Sequence, residues 1–431
     1  MEKELVKNFR AATFAKRQGF SVFVKYAIAL YLFAIFFCYS SGDTIVRVAR
    51  VVVFGVGAAY AFTRILLHNV IRGEKVKSNY YYFWCFIVIL YFAMQITWGY
   101  VIDAEASKRF LLSTLYSLIV NVIVLYYLVN NPEQFLFFVK FICFVAPLSL
   151  LRVYLTYGFD SFFESRQVED LNANGYALRA VIGMLFSLHV IFTDEKLRTA
   201  KLIYWGLALV NLVLMALAAS RKSYVLILVT LVTYLLFTGK SFLKSVRNLL
   251  IIVAILVGVY FALTKISFLY DIIGSRIESM IMGFLGQDTD SSTSTRLKLI
   301  ERGIMYFKEH PVWGYGLDGF RTLERVSATA SNTYYAHNNF IEILVAGGIV
   351  GFIVYYSLFF VMLFGGIFSI EKKDKTLSFF FGLFLALLIS EYGMVTYYEP
   401  QIQFVYTLCF FVLRLKNRKN KRSLIFGGGG I

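Results

Sequence analysis

Apolar runs of about 20 residues recur along the whole chain and are separated by short polar segments. A bilayer core about 30 Å thick needs roughly 20 apolar residues in each spanning helix. The pattern predicts about twelve transmembrane helices, at residues 20–39, 46–67, 81–102, 110–129, 135–157, 175–193, 202–219, 224–239, 248–264, 338–365, 376–395 and 400–414. We therefore expect an all-α, polytopic integral membrane protein.

The composition agrees with this interpretation. The chain has 431 residues, of which 59% are hydrophobic and 16% are charged, against about 25% charged residues in ordinary globular domains. The cysteines Cys38, Cys85, Cys143 and Cys409 lie far apart within apolar runs, so their spacing indicates neither a disulfide framework nor a metal site. The first apolar run lacks a small-residue cleavage pattern, and we expect it to be a retained helix.

The net charge of +17 does not indicate nucleic-acid binding, because the cations lie in short clusters between the apolar runs. Lysine and arginine enriched in alternate loops fix the orientation of a membrane protein, and here they place both termini in the cytoplasm. This orientation predicts an N-terminal bundle of about nine spans at residues 1–264 and a long extracytoplasmic loop at 265–337. Transmembrane helices at 338–415 and a basic cytoplasmic tail at 416–431 complete the chain.

One predicted outer loop breaks the charge rule. The sequence "AASRKSY" places Arg221 and Lys222 between the seventh and eighth spans, on the outer side. These cations could have a functional role, or their side chains could simply extend from the interface into water, as long basic side chains commonly do.

The long outer loop contains a predicted amphipathic helix. In "STSTRLKLIERGIMYFKEHP", serine and threonine caps precede Leu297, Ile300, Ile304 and Phe307 at helical spacing, and the helix should end near His310, before a proline. A glycine-rich turn, "VWGYGLDGF", follows. Such a helix could lie on the membrane surface or cover the bundle, or it could be a lid over a lipid-borne substrate.

A histidine opens the tenth span, in "YYAHNNFIEILVAGGIVGFIVYY" at residues 334–356. The imidazole of His337 could accept a proton at neutral pH, although a histidine at a membrane boundary can also be structural. Gly347 and Gly351 form a small-xxx-small face suited to close helix packing. On an unbroken helix, Gly348 and Gly351 would lie roughly 16–21 Å beyond the histidine.

His337, Asn338, Gly348 and Gly351 together form the pattern H-[NSQ]-x9-G-x2-G. This pattern resembles the signature of the O-antigen ligase and polymerase (Wzy/WaaL) superfamily. Three more stretches are similar to family motifs, both in their order along the chain and in the side of the membrane on which they are expected. They are "SRKSY" with Arg221, "DLNANGYA" downstream of Arg166, and the long-loop pattern that begins at Arg296. The resemblance covers roughly residues 160–415, and the first five spans have no matching motif.

The resemblance implies a glycosyltransferase of the bacterial cytoplasmic membrane whose donor and acceptor are oligosaccharides linked to undecaprenyl diphosphate. It implies that His337 is the catalytic base. It also implies that Arg221, Arg296 and Arg166 bind the diphosphate, because guanidinium groups match phosphate oxygens in geometry. Asn338, Asn174, Gly348 and Gly351 are implied as supporting residues. No metal or cofactor is expected, because cations can neutralise the leaving group. A flippase and a chain-length regulator are implied partners.

The activity that we favour from this resemblance is polymerisation of the repeat units into O-antigen, capsular polysaccharide or exopolysaccharide, with inversion at the anomeric carbon. The alternative within the family is a ligase that transfers the finished glycan to lipid A-core or another acceptor. A flippase for lipid-linked oligosaccharides is a third possibility, although we find no internal repeat of the kind that transporters often carry.

A different motif could indicate a metal site. Asp288 and Asp290 form a D-x-D triplet, with which many nucleotide-sugar glycosyltransferases hold a divalent cation. Here the triplet lies in the predicted outer loop, where nucleotide sugars should be absent, and short acidic triplets arise easily by chance. We therefore expect no metal at this position.

Overall fold

The protein is described from a computed structural model. It describes residues 21–38, 44–66, 79–157, 167–168, 171–194, 200–218, 220–238, 291–327, 334–368 and 374–416, with isolated positions between 246 and 270. Arg166, Asp288 and Asp290 lie outside the described residues.

The described part of the chain is built from helices. In chain order they are α1 (Ser21–Phe37), α2 (Thr44–Ile65), α3 (Tyr80–Thr97), α4 (Ala104–Asn130), α5 (Phe135–Tyr157), α6 (Ala173–Thr193), α7 (Lys201–Ala218), α8 (Arg221–Thr238), α9 (Ser291–Glu309), α10 (Gly319–Ser327), α11 (Asn339–Ile367), α12 (Lys375–Ser390) and α13 (Pro400–Phe410). Short 3₁₀ turns occupy Pro132–Gln134 and Glu391–Gly393, and a π-helical stretch at Phe411–Lys416 extends α13. Before α6, the short strands β1 (Gln167–Val168) and β2 (Leu171–Asn172) pair antiparallel.

Among the described residues, 7 helices are long and apolar enough to cross a membrane, and α1, α7 and α8 contain shorter apolar segments. All the predicted spans except the ninth coincide with described helices, and most of the ninth, 248–264, lies outside the described residues. The predicted fold class is confirmed: this is an all-α, polytopic integral membrane protein.

Side-chain caps fix where several helices begin. Asp103 accepts a hydrogen bond from the backbone N–H of Ala106 at 2.9 Å at the start of α4, and Asp374 accepts one from Leu377 at 2.9 Å before α12. Such caps satisfy backbone donors that have no partner within the helix.

The helices pack through a core of fully buried aromatic side chains, among them Phe138, Phe186, Phe379 and Phe380.

Helix α11 is broken at Gly348, which has φ 60° and ψ −164°. The expectation of an unbroken helix beyond the histidine is therefore wrong. The glycine-rich segment 311–316 of the preceding loop fills the break: the N–H of Ile349 donates to Pro311 O at 2.8 Å, and the N–H of Tyr315 donates to Val345 O at 2.9 Å. These bonds satisfy the backbone groups that the break exposes, as an apolar environment requires.

Helix α3 holds the same segment from the other side. The side chain of Gln95 donates to the carbonyl oxygens of Ala346 and Trp313, and the Tyr91 hydroxyl donates to Gly347 O. The indole of Trp313 stacks on Tyr91, with ring centroids 6.3 Å apart. The loop segment is thus clamped between α3 and the break in α11, and it forms part of the packed bundle.

Helix α9 of the long loop packs against the first turns of α11. Leu299 is fully buried in a small core that includes Phe320 of α10 and Ile341 of α11. A Cβ at Gly303 would come within 2.2 Å of the Ile341 side chain, so the two helices approach closely there. Helix α9 therefore covers the end of the bundle.

Residues outside the predicted apolar series of α9 make its contact with α11. Leu297 and Ile304, which share the predicted face, are 46% and 42% exposed, whereas Leu299 and Gly303 face α11. The apolar side chains of α9 point partly away from the protein, as in helices that lie at a bilayer interface.

Candidate functional site

His337 is the last residue of the long loop and lies two positions before α11 begins. Its φ is 52°. This left-handed conformation is uncommon for a residue with a side chain, and it persists when the surrounding structure determines it. The imidazole packs on the Tyr335 ring, with centroids 4.0 Å apart. Between them, the N–H of Ala336 donates to the buried carboxylate of Glu342 at 2.9 Å. The backbone around the histidine is therefore held on both sides.

Asn338 is the N-cap of α11. Its side-chain oxygen accepts a hydrogen bond from the N–H of Ile341 at 3.2 Å, and its side chain is buried. An asparagine satisfies an otherwise unpaired backbone donor in this position. Asn338 thus fixes where the helix starts, directly after the histidine. This is its structural role in the described part of the chain.

The following residue, Asn339, is anchored by a buried carboxylate. Glu391, which is fully buried, accepts hydrogen bonds from Asn339 Nδ2 at 3.2 Å, Tyr356 at 2.8 Å and Tyr406 at 2.8 Å. A fourth bond comes from the Thr396 hydroxyl at 2.6 Å. This cluster, the Glu391 clamp, joins α11 to the turn after α12 and to α13. It fixes the end of α11 that follows His337.

Arg296 and Lys222 lie near the imidazole, and burial together with Arg296 lowers the pKa of Lys222 to about 7. Burial and the nearby positive charges of Arg296 and Lys222 lower the pKa of His337 from 6.5 to about 4. Each effect disfavours the charged imidazolium, so the histidine is neutral at physiological pH. Arg296 and Lys222 also place positive charge near the histidine, and positive charge attracts anions.

The structure brings these cations together from distant parts of the sequence. Arg296 lies on α9 and is half-buried, and Lys222 is the second residue of α8. The stem of Lys222 packs beside Gly393, where its Cε would lie 3.2 Å from a Cβ on that glycine. Helices α8, α9 and α11 thus converge on one place, although 115 positions separate Lys222 from His337.

Two of the other predicted site residues lie at the starts of helices. Arg221 is the first residue of α8, but its side chain is outside the described part. Asn174 is in the first turn of α6. No placement follows for Arg166.

The two motif glycines have different local roles. A Cβ on Gly348 would lie 2.3 Å from the carbonyl oxygen of Val312, and its φ of 60° is in the region that favours glycine. A Cβ on Gly351 would lie 2.7 Å from the Tyr91 ring. Gly348 therefore permits the break and the inserted segment, and Gly351 permits the close approach of α3.

A second group of charges adjoins the histidine across Tyr335. The Arg321 guanidinium lies 5.8 Å from the Tyr335 ring centroid and pairs with Asp318 at 3.5 Å. Burial raises the pKa of Asp318, while Arg321 opposes that rise. Glu399 lies within electrostatic reach of Tyr335, and Arg179 is the cation near it. The region around the histidine therefore combines both charge signs with aromatic surfaces.

Sequence reasoning did not assign Lys222, Glu391, Arg321 or Glu399 to the site. A usable signal existed for Glu391, because an acidic residue within an apolar span indicates a specific partner or role. Lys222 stood out as a cation on the outer side. Nothing in the local sequence relates Arg321 or Glu399 to the histidine, because their proximity comes from the tertiary fold.

Within the described ranges, no group of three or more histidine, cysteine, aspartate or glutamate side chains is arranged to hold a metal ion. The cations near His337 can instead bind an anion, and its neutral imidazole can accept a proton.

Residues 205–356 match the family model described as O-antigen ligase. The matched segment includes Lys222, Arg296 and His337, which approach one another in the structure. No curated protein and no solved structure matches the chain.

Proposed function

We propose that the chain is a membrane enzyme of polysaccharide assembly that polymerises lipid-linked sugar repeat units, because residues 205–356 match the family model described as O-antigen ligase. The donor is a glycan on undecaprenyl diphosphate at the outer face of the bacterial cytoplasmic membrane. The acceptor is a hydroxyl group of a second lipid-linked repeat unit.

The observation that carries this proposal is the neutral imidazole of His337 beside Arg296 and Lys222, in a site where burial first, and these two side chains second, lower its pKa to about 4. A reaction that expels a diphosphate needs positive charge at the leaving group. A reaction whose nucleophile is a sugar hydroxyl needs a proton acceptor at the attacking oxygen. The site offers both in one place.

The proposed step is a single displacement. The acceptor hydroxyl gives its proton to His337 while its oxygen forms a bond to the anomeric carbon of the donor. The bond between that carbon and the diphosphate oxygen breaks, and the diphosphate leaves with the bonding electrons. Arg296, Lys222 and Arg221 stabilise its charge, with guanidinium forks suited to phosphate oxygens. Attack opposite the leaving group inverts the anomeric carbon.

Donor binding should also improve the base. A pKa of about 4 makes His337 a weak proton acceptor in the empty site. A diphosphate bound by Arg296 and Lys222 offsets their charge, so the pKa of the histidine rises towards its ordinary value. The proton acceptor therefore becomes stronger when a donor is present, and a base works best when its pKa approaches the working pH.

In this mechanism, the cations neutralise the leaving group without a metal or another cofactor. The residues around the base position it. Asn338 caps α11, and the Glu391 clamp anchors the next residue of that helix. Gly348 admits the loop segment that joins α11 to α3. Accurate placement of reacting groups contributes strongly to rate, and small displacements are costly.

A ligase is the second candidate function, and the description of the matching family as O-antigen ligase favours it. A ligase uses the same donor and the same leaving group. It differs in the acceptor, which is a lipid A-core or another final carrier. The base and the cation cluster would have the same roles in both enzymes.

The lipid-linked glycan profile of a deletion strain distinguishes these functions. Loss of a polymerase should leave single repeat units on the lipid, and a plasmid-borne copy should restore long chains. Loss of a ligase should leave long chains on the lipid that are not attached to their final acceptor. Single units that accumulate on the cytoplasmic side would instead identify a flippase and contradict the proposal.

A further inference from the structure

A cavity of about 300 Å³ lies between α2 and α4, and two arginines of α2 line it. Arg47 and Arg50 are three positions apart, so their side chains share one face of the helix. The rest of the lining is apolar and includes Val51 and Phe54 of α2 and Tyr116 and Ile119 of α4. None of these residues belongs to the cluster around His337.

Arg50 is buried without full satisfaction of its guanidinium. The residue is 8% exposed, and neither its Nε nor its Nη2 has a hydrogen-bond partner among the residues that the structure describes. The buried Tyr31 hydroxyl lies beside the guanidinium and is a neutral polar neighbour, which does not balance the charge of Arg50. A buried cation is costly unless an anion accompanies it, and arginines within membrane helices often mark ligand sites.

The position of the arginines indicates where an anion would come from. They lie about 5–9 Å along α2 from its first residue, Thr44. Val51 is 70% exposed, Phe54 51% and Tyr116 53%, so the cavity opens towards the lipid side of the bundle. A ligand that enters from this side has an apolar body to place against these side chains and an anionic group to place at Arg50.

We propose that this cavity binds the phosphate of an anionic glycerophospholipid, with Arg50 and Arg47 as its phosphate ligands and one acyl chain along Phe54 and Tyr116. Guanidinium groups match phosphate oxygens in geometry and charge. Two cations suit the single charge of a phosphodiester. The site lies in the leaflet at the N-terminal end of α2, which the predicted orientation makes the outer leaflet.

A photocrosslinking amino acid at Phe54 tests the proposal in the full-length protein. The purified protein is placed in nanodiscs with equal amounts of phosphatidylglycerol and phosphatidylcholine, and mass spectrometry identifies the crosslinked lipid. We expect phosphatidylglycerol to exceed phosphatidylcholine by roughly fivefold, as one or two interfacial arginines would produce. The same amino acid at Leu209, which is 60% exposed on α7 and has no lysine or arginine within seven positions, should show no preference.

Substitutions of the arginines connect the preference to the cavity. Arg50→Met should lower the ratio at Phe54 to near one. Methionine replaces the buried cation with an apolar side chain of similar length, which a membrane protein should tolerate. Arg47→Gln, at an exposed position, should leave the fold intact and lower the ratio roughly twofold. Both variants are compared with the wild type by gel filtration and melting temperature.

Several results would overturn the proposal. Equal crosslinking of both lipids at Phe54, or an undiminished preference in folded Arg47→Gln, would mean that the cavity does not recognise the phosphate. In nanodiscs that also contain undecaprenyl diphosphate, preferential crosslinking of that lipid would reject a glycerophospholipid as the occupant. It would indicate a second site for the lipid carrier instead.

Discussion

Removal of the positive charge of Arg296 should raise the pKa of His337, and the causes of its low value set the size of the change. Burial, Arg296 and Lys222 lower that pKa from 6.5 to about 4, and burial is the largest cause. Arg296 therefore accounts for less than half of the difference. We expect Arg296→Gln to raise the pKa by roughly 0.5–1, which leaves it below 6.5.

The assay is a pH titration of histidine ring resonances in protein labelled with isotope at histidine. The chain has only 4 histidines, so the spectrum is simple, and a His337→Gln protein identifies the signal. Lys298→Gln is the matched control, because Lys298 is an exposed cation of the same helix, α9. Its side chain points about 200° around the helix from Arg296, and its removal should leave the pKa of His337 unchanged.

The same titration can be repeated with undecaprenyl diphosphate that carries no sugar. Binding at Arg296 and Lys222 should raise the pKa of His337 in the wild type, because the anion offsets two nearby cations. The rise should be smaller in Arg296→Gln. If Arg296→Gln left the pKa unchanged while the diphosphate still bound, the positive field assigned to Arg296 would be wrong. A fall on diphosphate binding would refute the placement of the leaving group.

Three other substitutions test the site and its support. Arg221→Ala should nearly abolish transfer, and Arg221→Lys should restore it only in part, because a point charge lacks the planar fork; wild-type glycan chains in Arg221→Ala would assign that cation to the interface alone. Gly348→Ala should lower the free energy of unfolding by about 3 kcal/mol, because alanine is strained at this φ and its Cβ would clash with Val312. Gly347→Ala should be tolerated, and equal melting temperatures of the two variants would contradict this prediction. Glu391→Ala should cost about 3–5 kcal/mol because it leaves buried donors unpaired, and Glu391→Gln should cost less than half as much; a stable Glu391→Ala protein would show that the clamp is dispensable.

The sequence predicted the spans well because the length and polarity of apolar runs reflect a direct physical requirement of the bilayer. It predicted the helix in the long loop for a similar reason, since its Ser/Thr start and its proline stop are local signals. The observed helix, Ser291–Glu309, ends one residue before the expected His310.

The buried face of that helix could not be predicted from hydrophobicity. Beside a bilayer, apolar side chains can face lipid as well as protein, so their spacing does not identify the protein contact. Leu297 and Ile304 are largely exposed, and the close contact with α11 is made at Gly303. Small residues mark helix contacts in membranes because they allow backbones to approach, and Gly303 has this role in α9.

The break in α11 was also hidden from the local pattern. Gly347, Gly348 and Gly351 are compatible with a continuous, closely packed helix. The break requires residues 311–316, which lie 30 to 38 positions before their hydrogen-bond partners in α11. Helix α3 completes the arrangement through Tyr91 and Gln95. Only the tertiary structure brings these three elements together.

The candidate site was partly predictable. The motif singled out His337 and Asn338, and the long-loop pattern singled out Arg296, which lies close enough to lower the pKa of the histidine. Their chemical roles stay predictions. Lys222 could be recognised as unusual but could not be placed near the histidine, because nothing local connects the start of α8 to the start of α11.

The most direct test of the proposed mechanism is the transfer rate of purified His337→Ala with lipid-linked donor and acceptor. General-base assistance is typically worth about 10²–10⁴-fold, so we expect a loss of that size in a protein that folds and binds donor normally. His310→Ala is the matched control, because His310 is an exposed histidine of the long loop that packs on Tyr315, and its loss should leave transfer intact. A loss of only about twofold in His337→Ala would contradict the assignment of His337 as the base.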